Sequence, residues 1–392
     1  MLRSFLKGLS INIIILGLVS LFTDLSSQMV FPLLPLFLTT VLNANAAIVG
    51  LVEGAAEATA SLLKVFSGYW SDKIRKRKPF VLYGYTLSAA MKPLFAFSPL
   101  WEMVLGVRII ERVGKGIRNA PRDALVAESC DEGFRGKAYG LQRTMDGVGS
   151  ILGAVTAYLL LPIHGFRKTF LISSIPAFIA VIMILFVRER KKLQGTHLDK
   201  KLDVNFQSLP LKLKLFLTIT MVFTIGNMGY AFLLLRTLNL GFENNIAISL
   251  YVLFYITYTL LSTPFGVISD RVGRKPVLLS GYILFSILCL SLIIVSSLQG
   301  LIAIFILYGV FFALIDGSQR AFVVDLSPEE LKGTALGTFH TAVGLTSLPG
   351  GVIAGYLWMQ ISPTATFIFG LTTSLLAATL FSTTYIIKRQ KM

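Results

Sequence analysis

The chain has 392 residues, of which 54% are hydrophobic and only 14% are charged, and its mean hydropathy is +0.74. Soluble domains are typically about one-quarter charged, so this composition excludes a single aqueous globular domain. The net charge of +16 does not indicate a nucleic-acid-binding protein, because the cations lie in short segments between long apolar runs.

Apolar runs long enough to cross a bilayer recur along almost the whole chain. A bilayer needs roughly 20 apolar residues per helical span, and helices satisfy every backbone polar group inside the span. The first run exceeds the apolar core of a signal peptide and has no small-residue cleavage site, so we interpret it as a retained span. About twelve spans are predicted, at residues 11–40, 46–70, 79–98, 100–126, 135–161, 168–187, 211–238, 245–269, 276–297, 300–325, 333–358 and 362–387.

Lysine and arginine concentrate on one of the two sides that this order of spans defines. They precede the first span, separate the second from the third, and fill the segment after the sixth, whereas loops 42–47 and 239–245 contain none. The positive-inside rule therefore places both termini and the central loop in the cytoplasm. We predict an all-α polytopic membrane protein with an N-terminal six-helix half at 1–187, a cytoplasmic linker at 188–210 and a C-terminal six-helix half at 211–392.

A repeated loop supports this division into two halves. The segment Gly266–Pro276 reads GVISDRVGRKP, and an imperfect copy at Gly68–Pro79 reads GYWSDKIRKRKP. The copies lie half a chain length apart, each between the second and third spans of its half. Glycines allow close helix approach, and each Asp can accept hydrogen bonds from nearby cations.

With its twelve spans, basic central loop and paired loop motifs, the chain resembles the major facilitator superfamily of secondary transporters along its whole length. In that family the loop clamps neighbouring helices on the cytoplasmic side and releases them as the two halves rock. The resemblance implies a cytoplasmic gating role for ten residues: Gly68, Asp72, Lys73, Arg77, Gly266, Asp270, Arg271, Gly273, Arg274 and Lys275.

The fourth span contains a second match, RVGKGIRNAP from Arg112 to Pro121. It resembles the family's fourth-span pattern, in which the arginine handles a proton or an anion. Lys115 and Arg118 replace a glutamine and a glycine of that pattern, so this span is unusually cationic.

The fifth span contains a third match. Gly140, Gly149 and Gly153 have the spacing of the family's antiporter signature, although Ala154 stands where the signature has proline. The resemblance implies that these glycines pack helices closely at a bend. Small residues also pack well in membrane helices whatever the direction of transport.

Ionisable side chains inside the spans are the candidates for ion coupling. Each costs roughly 2.5–3.5 kcal/mol on insertion scales and so requires a partner or a water-filled cavity. The first half holds most of these charges, and we expect it to carry the coupling ion, with fixed structural ion pairs as the alternative. The proton-coupling candidates are Asp24, Glu53, Glu57, Arg112 and Asp146.

The second half has fewer charges and more aromatic residues, and we expect it to shape much of the substrate surface. Aromatic rings in spans also serve as packing residues and interface anchors, so that interpretation stays open. The substrate-cavity candidates from both halves are Gln28, Lys92, Lys115, Arg118, Arg143, Asn227, Tyr230, Arg236, Tyr251, Tyr255, Asp316, Arg320 and His340.

These observations favour proton-coupled secondary transport of a small organic solute by alternating access, with export by antiport as the favoured direction. The alternatives are proton-driven import of an anionic nutrient or of a metal-chelating compound such as a siderophore, and uncoupled facilitated diffusion. No enzyme is expected, because the sequence has no nucleophile elbow and no nucleotide-binding glycine loop, and Cys130 and Cys289 are too few for a metal cluster.

The expected surroundings follow from the same interpretation. We expect a monomer in the bacterial inner membrane, with the lipid bilayer and a small-molecule substrate as partners, and no nucleic acid. No cofactor and no metal are expected, and the proton gradient is the expected energy source.

Overall fold

The computed structural model describes residues 10–74, 76–130, 135–189, 209–328 and 331–385. The secondary structure of these residues is almost entirely helical, which confirms the predicted all-α class. The helices are α1 (Ile11–Val30), α2 (Leu33–Thr40), α3 (Ala46–Ile74), α4 (Lys78–Ala96), α5 (Trp101–Glu128), α6 (Arg135–Leu185), α7 (Leu211–Gly226), α8 (Gly229–Asn239), α9 (Asn244–Val272), α10 (Arg274–Ile294), α11 (Leu298–Asp325), α12 (Lys332–Gln360) and α13 (Pro363–Tyr385).

The helices follow the predicted order of spans. α1 and α2 together make up the first predicted span, and α7 and α8 the seventh. α6 contains the fifth and sixth, because the backbone of Gly165 (φ 68°, ψ 178°) divides it into two helices. Across the described residues, nine segments are long and apolar enough to cross a membrane, with α6 counted once. α4 and α5 are not among the nine, since they carry Lys92 and most of the charges of the fourth span.

The first compact unit comprises residues 1–33 and 59–202. Its described part contains α1, α4, α5, α6 and the second half of α3. Asn12 connects the start of α1 to the segment that follows α6. Its side-chain amide donates to the carbonyl of Arg188 at 2.6 Å and accepts from the N–H of Arg188 at 3.0 Å. The apolar core consists of Ile13, Leu16, Val19, Val81, Tyr85, Leu125, Val126, Ala138, Ala180, Ile184 and Val187.

The second compact unit comprises residues 34–58 and 203–392. Aromatic rings fill its core: the centroids of Phe223 and Tyr282 are 4.7 Å apart, and those of Phe216 and Phe322 are 4.9 Å apart in an edge-to-face contact. Such pairs add about 0.5–1.5 kcal/mol beyond the burial of their surface. The predicted contrast between a charged first half and an aromatic second half is therefore visible in the side-chain packing.

Residues 34–58 differ from the predicted halves, since they pack in the second unit and not with the rest of 1–187. The reason is the small-residue face of α3. The backbone at Gly50 and Gly54 lies directly against the backbone of α12, where a Cβ on Gly54 would be 3.0 Å from the Cα of Leu348. The predicted linker at 188–210 lies outside the described residues, apart from 188–189 and 209–210.

Two spans are broken at corresponding points of the repeat. The break between α1 and α2 falls at Phe31 and Pro32, and Pro32 has no backbone N–H to continue the helix. The break between α7 and α8 falls at Asn227 and Met228, immediately before Gly229, whose φ is 74°. The sequence predicts each span as one uninterrupted run. Broken spans at matching positions of two repeats are a pointer to the binding site of a transporter.

Gly273 ends α9 and begins α10 within the second copy of the loop motif. Its backbone (φ 98°, ψ 153°) lies in a region that only glycine adopts without strain. We therefore expect Gly273→Ala to lower the free energy of unfolding by about 1–3 kcal/mol, as measured by thermal unfolding of the purified chain. Gly266→Ala is the matched control, because a Cβ at this helical position meets open space. Equal melting temperatures for the two variants would contradict the prediction.

Candidate functional site

Three cations surround one carboxylate inside the first unit. The Glu111 carboxylate lies 3.2 Å from the guanidinium of Arg108, 3.7 Å from that of Arg112 and 4.0 Å from the ammonium group of Lys92. Arg108 and Glu111 are completely buried, and Lys92 is 1% exposed. We call these four residues, together with the ring of Phe31, the α5 charge cluster.

The aromatic ring of Phe31 lies close to all three cations of the α5 charge cluster. Its ring lies at the break after α1, and the charged groups of Arg108, Arg112 and Lys92 are 4.2, 4.8 and 5.2 Å from its centroid. Lys115 is at 6.0 Å from the same centroid. Cations over an aromatic face gain more when they are desolvated, up to about 2 kcal/mol. The ring therefore helps to hold cations that a single carboxylate does not neutralise.

Two further carboxylates, Asp24 of α1 and Asp146 of α6, lie in the first unit. Asp24 is half-buried on α1 and interacts electrostatically with Asp146 of α6 as well as with Lys115, Arg118 and Arg122. In the described chain, neither Asp24 nor Asp146 has a cation within ion-pair distance, and one carboxylate oxygen of Asp146 is buried without a hydrogen-bond partner. The structure thus brings two predicted proton-coupling residues into one electrostatic neighbourhood, where Arg122 is paired with Asp123 at 2.9 Å.

The other two predicted carboxylates lie in the second unit. Glu53 is half-buried on α3 and accepts a hydrogen bond from the hydroxyl of Tyr230, at 3.4 Å. Glu57, one turn further along, is exposed. The rings of Tyr230 and Tyr255 lie 5.1 and 5.4 Å from the ring of Tyr251, which is buried. Three predicted cavity tyrosines therefore form one aromatic cluster, at whose edge Glu53 lies.

Asp316 and Arg320 form a half-buried ion pair on α11, at 2.6 Å, and Tyr258 donates a hydrogen bond to Asp316 at 3.1 Å. Asn227 lies at the break between α7 and α8, and its side-chain oxygen is buried without a described hydrogen-bond partner. His340 is half-buried on α12 beside the ring of Phe339. Of the remaining cavity candidates, Gln28 is buried and Arg143 is exposed.

Arg236 has a different position from the one that the sequence predicts. Its guanidinium donates hydrogen bonds to the backbone carbonyls of Leu292 at 3.1 Å and Val295 at 3.4 Å, and to the side chain of Asn239 at 2.8 Å. The last carbonyls of a helix have no partner within the helix and accept such bonds. Arg236 therefore caps the end of α10.

The two loop motifs form the same ion-pair arrangement in each unit. Arg77 pairs with Asp72 and with Glu128, the latter at 3.5 Å, and Arg274 pairs with Asp270 and with Asp325, also at 3.5 Å. Each arginine also donates a hydrogen bond to a serine of its motif, Ser71 or Ser269. The repeat therefore links the cytoplasmic ends of corresponding helices in both units.

The remaining motif residues have other roles. Lys73 lies 6.0 Å from the ring centroid of Tyr69, and Lys275 donates to the backbone of Tyr385 at 3.2 Å. Arg271 is exposed. A Cβ on Gly68 would approach Ala120 at 3.3 Å, so that glycine does lie at a helix contact, unlike Gly266.

Sequence reasoning missed Phe31, Tyr85, Glu111 and Glu189 as site residues. Glu111 could have been identified from the sequence, since it is an acid among five cations of one predicted span. Glu189 accepts hydrogen bonds from the backbone of Arg77 and Lys78, and nothing in its position predicts this. Phe31 is one of 29 phenylalanines and has no distinguishing sequence feature.

Comparison with known proteins places this architecture in a family. The model of the Major Facilitator Superfamily matches residues 16–238 and 215–391, which together cover nearly the whole chain. The chain belongs to the major facilitator superfamily. This membership confirms the resemblance that the loop motifs indicated.

Individual relatives agree with the family match. An uncharacterized MFS-type transporter of Methanocaldococcus jannaschii is 42% identical over 372 residues, which cover 93% of this chain and 92% of that protein. The multi-drug resistance efflux pump PmrA of Streptococcus pneumoniae is 31% identical over 102 residues, covering 26% of this chain and 25% of the pump. The crystal structure of the nucleoside transporter NupG is similar with a TM-score of 0.76 at 16% identity. The similarity covers 96% of this chain and 100% of the NupG chain.

These findings establish the general function. The protein is a membrane transporter of the major facilitator type and a multi-pass membrane protein. Transporters of this family are generally not enzymes.

Proposed function

We propose that this transporter couples the movement of a small organic solute to protons by alternating access, with export by antiport as the direction. The observation that carries the proposal is the placement of Asp24 and Asp146 in one electrostatic neighbourhood of the first unit. Two carboxylates in a low-dielectric environment repel each other when both are ionised, and one bound proton removes the repulsion.

Cations near Asp24 provide a way for a bound proton to be released. Lys115, Arg118 and Arg122 lie in the electrostatic surroundings of Asp24. A small change in the distance between these cations and Asp24 therefore changes how strongly a proton is held. In an alternating-access cycle, a proton that binds in one state and leaves in the other biases which state is exposed.

The direction rests on two similarities. The glycine spacing of the fifth span resembles the antiporter signature, and two of its three glycines lie directly against α1. The local similarity to the multi-drug resistance efflux pump PmrA supports export as well. Both support a substrate that leaves the cytoplasm.

A second candidate is proton-driven import of an anionic nutrient. The α5 charge cluster favours it, because three buried cations share one carboxylate and attract negative charge. Fields of this kind raise the local concentration of anionic substrates.

The test uses the purified chain in liposomes that contain a pH-sensitive dye, with organic cations, drugs and organic anions added outside. Asp24→Asn and Asp146→Asn are expected to lose substrate-dependent proton flux while substrate still moves down its own gradient, because an amide cannot exchange the proton. Glu243→Gln is the matched control, since this exposed carboxylate lies at the start of α9 and outside the charged interior.

The sign of the flux distinguishes the two candidates. Proton entry with substrate exit supports antiport, and proton entry with an entering anion supports the import alternative. Substrate movement that is independent of the pH gradient and unchanged in both variants would overturn proton coupling and leave a facilitator.

A further inference from the structure

A small cavity lies between α1, α4, α5 and α6 of the first unit. Seven of the nine residues that line it have polar or charged side chains, and the space is about that of one water molecule. The residues that line it are Thr23, Ser26, Ser27, Tyr85, Ser88, Ala89, Lys92, Arg118 and Ala177.

The cavity contains more hydrogen-bond donors than the described protein uses. The hydroxyls of Thr23 and Tyr85 and the Nε–H of Arg118 are buried without a partner among the described residues. Lys92 donates to the hydroxyl of Ser27 at 3.2 Å and has two further N–H groups. Thr23, Tyr85, Lys92 and Arg118 are each less than one-tenth exposed. Unsatisfied buried groups destabilise the fold, so three in one cavity indicate a missing acceptor.

The charge around the cavity identifies the kind of acceptor. Two cations, Lys92 and Arg118, line it, and none of its described lining residues is acidic. Glu111 is the acid beside Lys92, at 4.0 Å, and it is already shared with Arg108 and Arg112. Asp24 interacts with Arg118 from α1 and shares this role with two other cations. The local field is positive, which excludes a metal cation and favours an anion over neutral water.

We propose that this cavity binds one halide-sized monovalent anion, of which chloride is the example, as a buried counter-ion of the first unit. Lys92 and Arg118 supply the charge, and Thr23 and Tyr85 donate hydroxyl hydrogen bonds. The small space excludes organic anions. An anion bound only to the folded state raises stability with its concentration.

The test measures thermal unfolding of the full chain in detergent while sodium chloride replaces sodium gluconate at constant ionic strength. The melting temperature is expected to rise and to saturate with chloride. Tyr85→Phe removes the unpartnered hydroxyl and keeps the ring, which lies 4.4 Å from the Arg118 guanidinium. It is expected to raise the half-saturating chloride concentration about tenfold, since a hydrogen bond to a charged group is lost.

Tyr308→Phe is the matched control. It also removes a buried hydroxyl that has no described partner, but in the second unit, and it is expected to leave the chloride response unchanged. Thr23→Val repeats the test with a side chain of nearly the same shape. Crystals grown in bromide are expected to show an anomalous peak in the cavity.

Two results would overturn the proposal. One is an identical melting temperature in chloride and gluconate, which would mean that water alone fills the cavity. The other is a chloride response of Tyr85→Phe and Thr23→Val that equals the wild-type response, which would place the anion elsewhere.

Discussion

Glu111→Gln is expected to lower the free energy of unfolding by about 3–5 kcal/mol, because removal of one partner leaves buried charges uncompensated. Arg108, Arg112 and Lys92 all lie within 4.0 Å of this carboxylate. An amide keeps the shape and some hydrogen bonds but loses the negative charge. The measurement is thermal unfolding in detergent, together with the monodisperse fraction in size-exclusion chromatography.

Glu102→Gln is the control on the same helix. Glu102 is exposed in the first turn of α5, and its substitution is expected to change the melting temperature little. Adding Arg108→Met to Glu111→Gln is expected to recover part of the loss, since fewer cations then remain unpaired. A Glu111→Gln protein as stable as the Glu102→Gln protein would show that another group neutralises the cluster.

Gly153→Leu is expected to reduce stability by about 3 kcal/mol or more, or to prevent folding, because overpacking displaces backbone as well as side chains. A Cβ at this position would meet the carbonyl oxygen of Leu25 and lie 2.8 Å from the Cβ of Gln28. The gain in helix propensity from glycine to leucine is only about 1 kcal/mol and does not offset the overlap. Expression level and melting temperature measure the effect.

Gly140→Leu tests the same motif at a position with a different environment. Gly140 is exposed, and a Cβ there meets open space. We expect this variant to be as stable as the wild type or slightly more stable. Similar losses for Gly140→Leu and Gly153→Leu would mean that the motif acts as one unit, contrary to the contacts in the structure.

The glycines show where sequence reasoning reached its limit. Spacing predicts close packing for Gly140, Gly149 and Gly153 alike, but only the latter two face α1. A glycine allows close helix packing only if it faces the neighbouring helix. The spacing of the glycines does not determine how the helix is rotated about its own axis. Gly350 shows that the repeat extends to such contacts, because a Cβ on it would lie 2.6 Å from the carbonyl oxygen of Ile225.

The arginines also show which contacts can be predicted from sequence and which cannot. Arg77 and Arg274 have the partners that their motifs imply, because Asp72 and Asp270 are close to them in sequence. The position of Arg236 in a span predicts a cavity residue, yet its partners include the backbone carbonyls at the end of α10. Local partners follow from spacing, whereas distant ones depend on how the helices pack.

The amino-acid sequence by itself determined the membrane class, the order of the spans and the two-fold repeat, since hydropathy, charge and loop motifs act locally. Only the tertiary structure decided that α1 and α7 end at breaks, that residues 34–58 pack in the second unit, and that Phe31 lies against the cations of α5. These features depend on which helix faces meet, and that is set by packing over the whole unit.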